Sequence, residues 1–192
     1  MPTTLIRPTG QAKISVEEFR RMRAADVFQG RHIQLLDGEL YEVGKNPPHN
    51  TAVIILAALL RQLLPLSSFH VREEKSVEPW EFWWPEPDVA VVRGQPADYW
   101  GRYPGPADVP LIAEVCDTSV QDRTKKLAGY AQAGFPVYWI LDINRRTLEV
   151  YRLVAGSYIL MACLFETESV DVVIDGAMHG QIAVADLLPP RE

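Results

Sequence analysis

Cysteine is nearly absent from this 192-residue chain, which has only Cys116 and Cys163. Two thiols cannot build a disulfide framework. No CxxC or Cys/His spacing for structural zinc occurs either. Long hydrophobic runs are also missing. The longest, residues 52–60, falls well short of the ~20 residues a spanning helix needs. The first residues, Met1-Pro-Thr-Thr-Leu-Ile-Arg7, lack the apolar stretch of a signal peptide. A soluble protein of the reducing cytoplasm is the expectation. There is no excess of positive charge: 19 basic and 25 acidic residues leave a net charge of -6. That excludes a chain held to nucleic acid by bulk charge alone, though not one with a local basic site. Repeats at solenoid periods and low-complexity tracts are absent as well.

What is there is the composition of a packed protein, with 47% hydrophobic and 23% charged residues. The length fits one domain over residues 15–192, preceded by an arm or edge strand over residues 1–14. Ser15-Val-Glu-Glu18 has the capping-box spacing and opens a helix. Residues 31–43 read as a hairpin about Asp37-Gly38. Asn46-Pro47-Pro48 reads as a loop that stops the sheet. Residues 51–64 form a helix that is apolar almost all round, and so buried on most faces. Strands follow at residues 69–77 and 87–92. A loop rich in proline, glycine and aromatics spans 93–109, and another strand covers 111–116. Ser119-Val-Gln-Asp122 repeats the capping-box spacing and opens a helix that runs to about Ala133. Gly134 stands at its C-terminal cap and Pro136 prevents continuation. A strand at 137–142, a hairpin about Ala155-Gly156, a strand at 170–174 and a terminal turn at 184–188 complete the pattern. Strands alternating with helices, then a meander, predict an α/β fold with a mixed β-sheet, in which residues 111–142 make a right-handed parallel crossover.

Two acids stand out by position. Asp88 follows Pro87 at the head of an apolar strand. Glu114 lies inside Leu111-Ile-Ala-Glu-Val-Cys116, where a carboxylate is out of place. Burying a carboxylate costs several kcal/mol unless it is paired or bound to metal. Two on neighbouring strands repel unless a cation lies between them, and oxygen ligands suit Mg²⁺. Taken alone, Asp88 reads as the partner of an arginine or as a strand end in water. The apolar flanks of Glu114 argue for function. Lys126 is the third candidate: a helical side chain leans toward the helix N-terminus, so its ammonium reaches back to the strand that carries Glu114. Alone, it reads as an ordinary Asp122–Lys126 helix pair. Together, a metal held by acids and a nearby lysine are the minimum apparatus for phosphodiester hydrolysis.

The runs Pro87-Asp88-Val-Ala-Val, Leu111-Ile-Ala-Glu114-Val, Asp122-Arg-Thr-Lys-Lys126-Leu-Ala-Gly-Tyr130-Ala-Gln-Ala-Gly134 and Tyr138-Trp139-Ile-Leu-Asp142 together resemble the bacterial Uma-two family of restriction endonucleases, within the PD-(D/E)XK nuclease superfamily. The resemblance implies a restriction-endonuclease-like core with a mixed β-sheet flanked by helices. It also implies a Mg²⁺-dependent endonuclease acting on DNA, with Mn²⁺ as substitute; the assembly stays open, and exposed apolar and aromatic residues would favour a homodimer whose two sites cut two strands. By the resemblance, Asp88 and Glu114 match the metal-binding acids. The superfamily lysine belongs two places after Glu114, where this chain has Cys116, and Lys126 on the following helix matches its displaced position. Lys125 is the lesser substitute. Glu39 matches a further metal ligand, and His49 an accessory base or phosphate contact. Asp122 is accessory on the helix face of Lys126.

Other readings are structural. Tyr130, Tyr138 and Trp139 fall on apolar faces. Trp80, Trp83 and Trp84 suit base stacking, a core or a dimer interface. Cys116 reads as a small buried residue, and His32, His70 and His179 show no ligand spacing. Residues 120–146 carry five basic and two acidic groups, and residues 69–92 carry two basic and six acidic ones. Basic groups around Lys126 would meet a phosphate backbone. A nuclease-fold relative that only binds nucleic acid or a protein, and a metal hydrolase acting on RNA or a nucleotide, share these features.

Overall fold

The computed structural model describes residues 12–44, 46–116 and 121–191. Most of the expected arm and the proposed cap Ser119 lie outside them. Helix α1 (Val16–Ala24) starts at the expected capping box: Ser15 Oγ accepts from Glu18 N, and Glu18 Oε2 accepts from Ser15 N at 2.8 Å. Strands β1 (Ile33–Leu36) and β2 (Glu39–Glu42) form the expected hairpin. Its turn needs positive φ at both Asp37 (53°) and Gly38 (79°), a mirror-image turn that suits an Asp-Gly pair.

Helix α2 (Pro47–Leu63) begins earlier than expected. Asn46 is its cap, with Oδ1 accepting from His49 N at 3.0 Å, and the two prolines fill the first turn. Proline belongs there because its φ is already helical and the N–H it lacks would have no partner in that turn. One face of α2, with Val53, Leu56 and Leu60, is buried in the core. Each such side chain contributes on the order of 1.5–3 kcal/mol. Ile54 faces water at 60% exposure, so α2 is less enclosed than its composition implies.

The central sheet has the order β3 (Phe69–Glu73), β4 (Val89–Arg93), β5 (Leu111–Cys116), β6 (Val137–Asp142), β7 (Thr147–Val154) and β8 (Ser157–Phe165). Only β5 and β6 run parallel, and helix α3 (Lys125–Ala133) lies between them in the chain. The sheet is mixed, as expected. Alternate residues feed two cores. Val89, Val91, Leu111, Ala113 and Val115 pack with α2, while Ala90, Val92, Ile112 and Cys116 pack with Tyr130 of α3 and Tyr138. Trp83 and Trp84 are buried, and Trp80 stacks on Trp83, so these rings belong to the core. Strands β9 (Ser169–Ile174) and β10 (Ala177–Ala183) form a separate antiparallel pair. Among the described residues, no helix is long and apolar enough to cross a membrane.

Helix α3 starts later than the capping-box spacing suggests. A short 3-10 turn over Gln121–Arg123 comes first, and Thr124 is the cap residue. Lys126 is therefore in the first turn, not two turns along. The C-terminal end agrees with expectation: Gly134 adopts φ 94°, and the amides of Gly134 and Phe135 return to Tyr130 O.

Candidate active site

Strand register brings the two acids together. Val89 pairs with Ala113, so the next antiparallel step sets Asp88 across from Glu114; Glu114 reaches Lys126 and Tyr130 of α3, while Asp88 meets His49 of α2. The backbone around Asp88 is held by neighbours: Glu74 N donates to Asp88 O at 3.0 Å. On the side chain, Val115 N donates to Asp88 Oδ2 at 2.8 Å and His49 Nε2 lies 3.2 Å from the same oxygen. No hydrogen bond from the described residues reaches Oδ1.

Glu114 has no exposed surface at all. Tyr130 Oη donates to its Oε1 at 2.8 Å, and Lys126 Nζ donates to its Oε2 at 2.8 Å. Lys126 also meets Asp122 Oδ1 at 3.0 Å. The first-turn position of Lys126 is what makes this reach short, because side chains there lean back over the preceding loop and strand. Two carboxylates thus share one buried ammonium.

Their electrostatics follow from that crowding. Burial raises the Glu114 carboxyl well above the usual range; Lys126 opposes this, while Asp88 and Asp122 reinforce it. For Asp88, burial pushes the same way, but the hydrogen bond from His49, the Lys126 charge and the Val115 amide outweigh it and hold the carboxyl low. Burial disfavours the Lys126 charge, yet Glu114, Asp122 and Asp88 keep it an ammonium well beyond neutral pH.

The remaining sequence candidates divide. His49 joins Asp88 and Asp122 joins Lys126. Glu39 and Lys125 meet each other instead: Lys125 Nζ donates to Glu39 Oε2 at 2.6 Å, and Tyr41 Oη donates to the same oxygen at 2.6 Å. Glu39 is exposed, and hydrogen bonds from Lys125 and Tyr41 lower its carboxyl. Cys116, in the place of the superfamily lysine, is buried beside Arg123.

Two residues go beyond the sequence reading. Glu74 follows β3 in a left-handed conformation, φ 52°. One ligand atom each from His49, Glu74 and Asp88 lie within 4.8 Å of one another, the group among the described residues able to hold a metal. Nothing local in the sequence marks Glu74, because its place depends on that backbone kink. Arg123 is the other. Its Nη2 donates to Asp142 Oδ2 and to Glu149 Oε1, both at 2.8 Å, pinning the turn before α3 to β6 and β7.

A mixed sheet flanked by helices, with an acid pair and a lysine at its centre, is a restriction-endonuclease-like fold. The chain belongs to the Uma2 family, described as "putative restriction endonuclease", which matches residues 16–178. Its fold is similar to that of a protein from Anabaena variabilis ATCC 29413, titled a "putative nuclease belonging to DUF820". The TM-score is 0.68 at 14% identity, covering 91% of this chain and 97% of that one. No curated protein matches the chain.

Proposed function

We propose that this chain is a metal-dependent endonuclease that hydrolyses phosphodiester bonds in DNA, built as one domain over residues 15–192 behind a short N-terminal arm. The observation that carries the reading is the approach of Lys126 Nζ to within 2.8 Å of Glu114 Oε2, with Asp88 across the strand pair.

The donor set fits a divalent cation. Asp88 has an oxygen that no described residue bonds, and His49 and Glu74 supply a second and third ligand atom close by. Asp88, Glu74 and His49 hold the ion in this proposal, with Glu114 adjacent, and Mg²⁺ or Mn²⁺ is the cofactor. Glu39, the ligand expected from the hairpin, is engaged by Lys125 and Tyr41 and is left out of the set. A bound cation supplies a Lewis acid and lowers the pKa of water.

The chain's own groups do the rest. Lys126 presents a fixed positive charge to the phosphate and steadies the charge that develops there. Glu114 and Asp122 hold that ammonium in place, and Tyr130 orients Glu114. Arg123 keeps the start of α3 against the sheet, so Lys126 is positioned before substrate arrives. Cutting both strands of a duplex calls for two such centres, as in a homodimer.

A plasmid-nicking assay with Mg²⁺ or Mn²⁺ tests this. The parent should nick and Asp88→Asn should not. A Glu114→Ala variant that nicks as well as the parent sinks the assignment. One observation favours a second reading, a nuclease-fold protein that binds nucleic acid without cutting it: both Glu114 oxygens are already bonded. Binding that persists in chelator, with no substrate cleaved, would support that reading.

A further inference from the structure

The loop between β4 and β5 is long, yet it is tied down at many points. Arg93 N donates to Asp108 O at 2.8 Å, Gly94 N to Ser68 O at 2.8 Å, and Glu78 N to Pro104 O at 3.0 Å. Gln95 Nε2 donates to Leu66 O at 2.7 Å, and Tyr99 Oη donates to Arg93 O at 2.9 Å. Arg102 grips both oxygens of Asp108 and lies over the Tyr99 ring, 4.7 Å from its centroid. This braced loop nevertheless presents Trp100 to water at 91% exposure, with Tyr103 at 40%. An indole held out on a fixed backbone loses little freedom when a flat partner stacks on it.

The loop folds over one face of β3. The Tyr99 ring is 5.5 Å from that of His70, and the Tyr103 ring is 5.7 Å from that of Trp84. Arg72 stands two places after His70 on the same face, with Tyr99 and Tyr103 as its titratable neighbours. It is half-buried and makes no hydrogen bond or ion pair among the described residues. The acids nearby are engaged: Glu73 by Arg61, Glu86 by Arg23 and His32, and Asp108 by Arg102. A half-buried guanidinium without a counter-charge is costly, and an anion beside it recovers that cost. Two places further on, about 7 Å along the chain, comes Glu74 of the proposed metal group.

We propose that this surface carries an unpaired stretch of a DNA strand away from the metal centre, with Arg72 against a phosphate and Trp100 stacked on a base. A ring stacks on a base only where the face of that base is open, as in single strands, flaps and frayed ends. The substrate class is thus DNA with unpaired bases beside the cut. The inference rests on the nuclease reading for its choice of DNA, but binding tests it without cleavage.

Fluorescence anisotropy in chelator, with a labelled oligo-dT strand and a blunt duplex of equal length, is the experiment. The parent should bind oligo-dT more tightly than the duplex. Trp100→Ala should weaken oligo-dT about 5–100-fold and leave the duplex unaffected, and Trp100→Phe should restore most of the affinity. Arg72→Met should weaken oligo-dT and flatten the slope of log affinity against log salt by about 0.7, the share of one phosphate on a single strand. Ile54→Ala, 60% exposed on α2, should bind as the parent does. Circular dichroism should be unchanged throughout. A parent that binds both DNAs equally, or neither, overturns the proposal. So does Trp100→Ala that binds oligo-dT as the parent does, or an unchanged salt slope in Arg72→Met, whether or not the protein nicks plasmid. Trp100-dependent preference for oligo-dT with no cleavage in Mg²⁺ supports the proposal and sinks the nuclease reading instead.

Discussion

The ammonium of Lys126 is 2.8 Å from Glu114 Oε2, although the lysine stands on a helix and the glutamate in the strand before it. The pair is buried, so neither partner can be lost cheaply. Removing one leaves an uncompensated charge, which costs about 3–5 kcal/mol.

Lys126→Met should therefore lower the urea midpoint strongly, and Lys126→Met with Glu114→Gln should recover part of that loss. Both variants should nick on the order of 10²–10³ times more slowly than the parent, the loss typical of removing one donor to a developing charge. Equal stability of single and double variants would show that the two groups do not interact. The measurements are urea denaturation and single-turnover nicking.

The presence of an imidazole in the proposed ligand set separates the metals. Nitrogen ligands suit transition ions, while Mg²⁺ prefers oxygen and retains water. Calorimetry should show Mn²⁺ binding tighter than Mg²⁺. His49→Ala should weaken Mn²⁺ about 10–100-fold, with a smaller effect on Mg²⁺. Unchanged Mn²⁺ affinity in His49→Ala places the ion elsewhere.

The two thiols should differ in reactivity. Burial, with Asp122 adding to it, pushes the Cys116 thiol up to about 11, against a weaker opposing pull from Arg123. A raised pKa means that the thiolate is scarce below that value and grows as pH rises through it. At pH 8 a chromogenic disulfide should titrate one thiol per folded chain, the exposed Cys163, and a second only in guanidinium. Two fast thiols at pH 8 would contradict the buried placement of Cys116.

Much of this arrangement was legible in the sequence because short-range physics governs it. The capping box at Ser15, the Asp37-Gly38 turn, the apolar strands around Asp88 and Glu114 and the cap at Gly134 are local signals, and each forms as the residues suggest. The misreadings also have causes. Asn46-Pro47-Pro48 reads as a breaker because proline ends strands, yet it starts α2 because Asn46 supplies the cap. Strand β10 lacks β-branched runs, and its main signal is the Asp175-Gly176 turn, with φ 55° and 79°. Glu74 and Arg123 owe their places to contacts far along the chain, which periodicity does not encode. The reach of Lys126 back to the strand of Glu114 follows from the lean of helical side chains, though α3 starts later than the capping-box spacing suggests and so shortens that reach.

Moving the positive charge from position 116 onto α3 has a further consequence. Position 116 is a small buried residue, so Ile112 and Cys116 of β5 pack against the tyrosine cluster on the α3 side. The apolar seal of the sheet and the buried ammonium then reside on different elements, joined through Glu114, which sits on β5 between Ile112 and Cys116 and accepts from Lys126 at 2.8 Å.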